Sequence, residues 1–191
     1  MNIKIIIPIV LLFAVLSVAG LCYFGKADKA DNQLSQNKLV TDDFELILPQ
    51  GWIKSDPAAG VSAMAVNADE QLDDPAAEQI NFKSYFAVSR DIIEDGGPSE
   101  YMKVIENSLR EIIPGISFSE ERDMEISGRN ARAVKAEMNQ KGVDFNALMV
   151  SIKGDGNDVW TISFSTTKNK WEEYKESFFN VANSFKLKIK E

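Results

Sequence analysis

The sequence predicts an α+β fold: an antiparallel β-sheet meander flanked by helices, preceded by one N-terminal transmembrane or signal helix. Three observations predict it. A stretch of twenty residues, Ile5 to Phe24, carries no charge. Between residues 116 and 166 apolar side chains recur with period two and are interrupted by short glycine-containing turns, the pattern of strands joined by hairpins. Near 98–113 and again near 168–185 they recur at three- and four-residue steps, the pattern of a helix with one buried face.

The N-terminal stretch comes first. Only Pro8, Ser17 and Gly20 interrupt its aliphatic and aromatic run, and Lys4 precedes it. Twenty helical residues span about 30 Å, the thickness of a bilayer's hydrocarbon core. The leading reading of residues 1–25 is an uncleaved signal-anchor helix. A cleaved secretory signal is a second reading, with Ser17-Val18-Ala19 as the small-residue cleavage site. A lipoprotein is a third: Ala19-Gly20-Leu21-Cys22 resembles a lipobox with Cys22 lipidated, but Leu21 sits where a small residue is expected. All three place the rest of the chain at or beyond a membrane. Lys4 on one flank and Lys26 and Lys29 on the other leave the positive-inside count nearly even. The extracytoplasmic side is preferred because signal-like segments usually deliver that result. Residues 26–40 read as a polar linker and 41–191 as the folded domain.

Within the domain, Phe44, Leu46 and Leu48 predict a strand, and Pro49-Gln50-Gly51 turns the chain. Val61–Val66 and Asn81–Arg90 predict two more strands, with an acidic loop or short helix from Asp69 to Glu78 between them. Gly96-Gly97 breaks the last of these, and Pro98 is placed to open a helix. Tyr101, Val104, Ile105, Leu109 and Ile112 form its apolar face, and it should end before Pro114. Strands follow around turns at Ser127-Gly128, Lys141-Gly142 and 154–158, and such short turns require antiparallel pairing. In the closing helix Trp171, Tyr174, Phe178, Val181 and Phe185 are spaced 3, 4, 3, 4, while Glu172, Glu173, Lys175 and Glu176 face water.

The stretches FELILPQGW (44–52), IPGISF (113–118), ISGRNARAVKAE (126–137) and DVWTISFSTTKNKWEEYKESFFNVANSFK (158–186) together resemble the PsbP-like domain family. That family includes the extrinsic PsbP protein of photosystem II, Ran-binding Mog proteins and bacterial envelope proteins. The resemblance covers roughly residues 41–188. It implies an αβα sandwich, an antiparallel sheet with helices on both faces. It also implies a binding or assembly module rather than an enzyme. The metal-binding histidines of some photosynthetic members have no counterpart, because the chain has no histidine.

Composition narrows the chemistry further. With no histidine and one cysteine, Ser-His-Asp and Cys-His catalysis, His-ligated metals and an intrachain disulfide are excluded. From Lys26 onward 20 basic face 29 acidic residues, a net charge of −9 that disfavours nucleic acid. Asp155, Asn157 and Asp158 look like half of a calcium loop, but the twelfth position holds Thr166 instead of the required Glu, so a hairpin turn is preferred. Asp69, Glu70, Asp73, Asp74 and Glu78 read as a solvated loop, and Glu120, Glu121, Asp123 and Glu125 as the charges of an edge strand. Gly128-Arg129-Asn130 reads as a turn, and Trp52, Trp160 and Trp171 as core. No catalytic, cofactor or metal residue is assigned. The expectation is a membrane-tethered extracytoplasmic binding or assembly module without catalytic activity, touching the membrane through its N-terminal helix and an unidentified protein partner. The alternative is a secreted or lipid-anchored small-ligand carrier or envelope stress protein.

Overall fold

A computed structural model describes residues 37–189. The signal-anchor or signal segment 1–25, Cys22 and the linker up to residue 36 lie outside the described residues. No helix among the described residues is long and apolar enough to cross a membrane.

The strands are β1 (Lys38–Val40), β2 (Phe44–Ile47), β3 (Trp52–Ser55), β4 (Ala63–Asn67), β5 (Tyr85–Ile92), β6 (Ser117–Ile126), β7 (Arg129–Gln140), β8 (Val143–Lys153), β9 (Asp158–Thr167) and β10 (Lys186–Leu187). The helices are α1 (Pro75–Gln79), α2 (Pro98–Ile112) and α3 (Trp171–Asn183), the last entered through a 3₁₀ turn at Lys168–Lys170. Seven strands form one sheet in the order β3-β4-β5-β9-β8-β7-β6, and three form a second in the order β1-β2-β10. Every pairing is antiparallel. The large sheet is two meanders, β3-β4-β5 and β6-β7-β8-β9, and α2 carries the chain from β5 to the far edge at β6. The second meander then folds back until β9 pairs with β5.

Local chemistry sets the hairpins. Ser127 and Gly128 (φ 50° and 76°) and Lys141 and Gly142 (φ 53° and 80°) are two-residue loops with positive φ at both positions. That is the type I′ geometry whose twist matches the strands it joins. Pro98 at the first turn of α2 supplies a preset φ, and the Glu100 carboxylate accepts the Gly97 N–H at 2.9 Å.

Alternation along the central strands divides the core in two. Phe86, Val88, Leu148, Val150, Ile152, Trp160, Ile162 and Phe164 point to one face, under α3 and the small sheet. Tyr85, Ala87, Ala147, Met149 and Val159 point to the other, under α1 and α2. The αβα layering expected from the resemblance is present, as are both main helices.

Several boundaries differ from the sequence expectation. The linker reading reached residue 40, yet Lys38–Val40 is a strand whose Leu39 pairs with Leu46 and is buried. β3 was not expected; it is four residues long, with Ile53 and Lys54 exposed. β5 starts at Tyr85, not Asn81, and Tyr85 to Ser89 are buried on both faces, which removes the polar alternation that marks a strand. On α2 the buried face is Tyr101, Met102, Ile105, Glu106 and Leu109, while Ile112 stays 46% exposed. The α3 stripe is as read from sequence, with Trp171, Tyr174, Phe178 and Val181 buried and Phe185 closing it.

Candidate functional site

The N-terminus of α2 meets β6 and β7 at a surface cleft of about 360 Å³, lined by Gly97, Pro98, Ser99, Glu100, Asp123, Met124, Asn130 and Ala131. The helix is pinned there by Ser151 of β8, whose hydroxyl donates to the Pro98 carbonyl at 2.9 Å. Ser99 donates to Asp123 Oδ1 at 2.9 Å, and Arg132 Nη1 reaches the same oxygen at 3.2 Å. Arg132 also binds Glu121 through Nη2. The Ser99 hydrogen bond, followed by Arg132, holds the Asp123 carboxyl below its usual range. Bonds from its own and the Gly97 backbone N–H do the same for Glu100. A helix N-terminus favours negative charge. Here two carboxylates of the chain itself already occupy it, so the cleft repels a free anion and suits cationic or hydrogen-bonding groups.

β6 is the outer strand of the large sheet, and its charges are paired sideways. Glu120 lies 3.6 Å from Lys135 and 3.3 Å from Lys175. Lys135 also contacts Glu137 at 2.7 Å and sits over the Trp171 ring at 5.0 Å. Arg122 stacks 3.9 Å from the Phe179 ring centroid. The register slips between Ser119 and Arg122, where Glu120 has φ 51°. A bulge and a row of charges both discourage edge-to-edge association, so the reading of these acids as edge charge stands. Glu106 on α2 faces Glu121 and Arg132. Burial, then the Glu121 charge, raise its carboxyl above the usual range, against the opposing pull of Arg110.

The acidic loop contains a residue that sequence reasoning misplaced. Glu70 was read as solvated, but it is 5% exposed. Its Oε2 accepts the Ser84 N–H at 2.5 Å and its Oε1 the Ser84 hydroxyl at 2.6 Å. Since Ser84 spends its proton on the carboxylate, Thr166 donates to Ser84 across 2.8 Å. Lys83 Nζ donates to the Glu70 carbonyl. Tyr174 of α3 also hydrogen-bonds Glu70 and receives Asn67 Nδ2 at 2.8 Å. Burial, then the Glu70 charge, push the Tyr174 phenol up. The carboxylate is saturated by donors from Ser84, just ahead of β5, and from α3, so it works as a clip that fixes the 68–83 loop. The hydrophilic run around it gave no sign that one of its acids turns inward.

The other acids of this loop stay apart. Asp74 caps α1 by accepting from Ala76 and Ala77. In the 154–158 turn Asp155 pairs with Arg129 and Asp158 with Arg90, both at 2.7 Å, and the Asn157 carbonyl accepts Ile93 N–H. These carboxylates are held by arginines from neighbouring strands, as a hairpin requires. Among the described residues no group of three or more Cys, Asp or Glu side chains is arranged to hold a metal ion. Trp52, Trp160 and Trp171 are buried in the α3-side core, as expected.

No family model and no curated protein matches the sequence. Solved structures do match the fold. Cyanobacterial PsbP (CyanoP) from Synechocystis sp. PCC 6803 aligns with a TM-score of 0.61 at 15% identity, covering 86% of this chain and 100% of that one. LpqN, involved in cell envelope biogenesis of Mycobacterium tuberculosis, aligns at 0.58 and 12%, covering 76% and 83%. The Ran-binding protein Mog1p of Saccharomyces cerevisiae aligns at 0.51 and 11%, covering 75% and 89%. The chain has the PsbP-like/Mog1 fold, which agrees with the resemblance found in its sequence.

Proposed function

We propose that this chain is a non-catalytic binding or assembly module, held at a membrane by residues 1–25 with its folded domain on the extracytoplasmic side. One juxtaposition carries the reading. An uncharged run of twenty residues precedes a domain whose charged side chains close on one another. Catalysis by carboxylates needs two acids in one site whose environments drive their affinities for protons apart. Asp123 and Glu100 at the cleft are both held below the usual range. The shared fold adds support, because it serves a Ran-binding protein in yeast and a protein of envelope biogenesis in a mycobacterium. The carrier alternative draws no such support. Phe164 and Phe178 stack at 4.8 Å between sheet and α3, and Phe82 meets Phe145 at 4.9 Å on the other face, where an apolar ligand would need room.

Affinity purification of the full chain from a mild detergent extract tests this. A stoichiometric membrane or envelope protein is expected alongside it. Repeated recovery of the chain alone counts against the proposal.

A further inference from the structure

The small sheet β1-β2-β10 has two unlike faces. Its inner face delivers Leu39, Phe44 and Leu46 to the core. The register Lys38↔Ile47, Val40↔Glu45 and Lys186↔Glu45 puts these five residues on the outer face. There Val40 is 45% and Ile47 38% exposed, and Ile189, just past β10, is 94% exposed. Three of the six large apolar side chains left exposed among the described residues therefore gather at this end.

Charge separates this end from the rest of the domain. Residues 37–189 carry 17 basic and 26 acidic side chains, a net −9. Segments 38–47 and 186–189 set Lys38, Lys186 and Lys188 against Asp42, Asp43 and Glu45. The small-sheet end is neutral, and the whole acidic excess lies elsewhere.

The chain also arrives at this end. The Asn37 carbonyl accepts Leu48 N–H at 2.7 Å, and its side-chain amide donates to the Trp52 carbonyl at 2.8 Å. Twelve residues separate Asn37 from Phe24, the last of the uncharged run. Fully extended, twelve residues reach about 40 Å; as a coil they span about 20 Å.

We propose that the outer face of β1-β2-β10 lies against the lipid headgroups. The inference rests on the reading of Ile5–Phe24 as a membrane anchor. An acidic body is repelled by anionic headgroups. The neutral end, with aliphatic side chains and lysine stems that reach past them, approaches at least cost.

The test uses the full chain with Cys22→Ser, reconstituted into vesicles of phosphatidylcholine and phosphatidylglycerol. A single Ile47→Cys, Val40→Cys or Asn107→Cys carries a fluorophore, and headgroup-nitroxide lipid quenches it. Asn107 is exposed on α2, on the opposite side of the large sheet. Quenching several-fold stronger at 47 and 40 than at 107 is expected. Equal quenching in protein that floats with the vesicles overturns the face and leaves the anchor standing. Protein that does not float overturns both. Disulfide formation between two copies of the unlabelled Ile47→Cys protein, with no lipid quenching of the labelled one, assigns the face to a second copy and overturns the proposal.

Discussion

The two faces of the large sheet are packed by different means. Under α3 the core holds two groups of touching rings: Trp52 stacks on Phe86, Phe86 meets Phe164 and Phe164 stacks on Phe178 in one, and Phe44 bridges Trp160 and Phe185 in the other. Among the described residues no methionine is buried in that core. The core under α2 has fewer rings, Phe82, Tyr85, Tyr101 and Phe145, and takes in three buried methionines, Met102, Met138 and Met149. Its polar groups are buried rather than excluded: Tyr101 reaches Asp91 at 3.1 Å, and Glu106 reaches Arg110 at 3.4 Å. Large rigid rings fix one arrangement of α3. Methionine adapts, so α2 is held more by tied polar contacts at its N-terminus.

This contrast can be broken by truncating each core. Phe178→Ala removes a fully buried ring that touches four other aromatics. It should cost about 3–5 kcal/mol in urea unfolding. Met102→Ala, also fully buried, should cost about 2–4 kcal/mol, because methionine neighbours relax into part of the cavity. Equal losses would remove the distinction drawn between the two cores.

Glu70→Gln is the next largest change. It turns an acceptor into a mixed group facing the Ser84 N–H and hydroxyl, so a buried donor loses its partner. A loss of about 1–3 kcal/mol is expected, with faster proteolysis of the 68–83 loop. An unchanged midpoint would show that the loop is held elsewhere.

Alkaline pH sharpens the comparison on the α2 side. Burial pushes the Tyr85 phenol up to about 12 from 10.0, against a hydrogen bond from Ser165. Burial, then the Asp91 charge, raise Tyr101 as well. The folded state therefore holds these protons more tightly than the unfolded chain. The contribution of Tyr85 is complete below pH 10 and is lost as pH rises through about 12, at about 1.4 kcal/mol per pH unit; that of Tyr101 is lost in the same direction at higher pH. Tyr85→Phe should flatten that decline in a stability–pH series. The raised Glu106 carboxyl works in the same sense at acidic pH: stability falls as pH climbs from the usual glutamate range through the raised value. Glu106→Gln should abolish that fall. The smallest effect belongs to the exposed Asp123: Asp123→Asn should leave the urea midpoint nearly unchanged, because solvent screens its pair with Arg132.

The same contrast explains what the sequence disclosed. The α3 stripe was legible because its aromatic spacing is regular and its other face is charged. The hairpins were legible because Gly128 and Gly142 admit the positive φ that a tight two-residue loop requires. The α2 face was only partly legible: Met102 and Glu106 replace Val104 and Ile112 because Glu106 turns toward Arg110 and Arg132. β3 and the inward turn of Glu70 depend on partners more than ten residues away, Val66 for one and Ser84 and Tyr174 for the other. The cleft at the head of α2 joins residues from 97 to 131, and neither stretch signals the other in sequence.

The central claim is that the N-terminal run keeps this domain at a membrane. Intact-mass measurement of the protein from membrane and soluble fractions tests it most directly. The account predicts a species that retains residues 1–25 in the membrane fraction. A species that retains residues 1–25 in the soluble fraction, or a soluble species beginning just after Ala19, would contradict it.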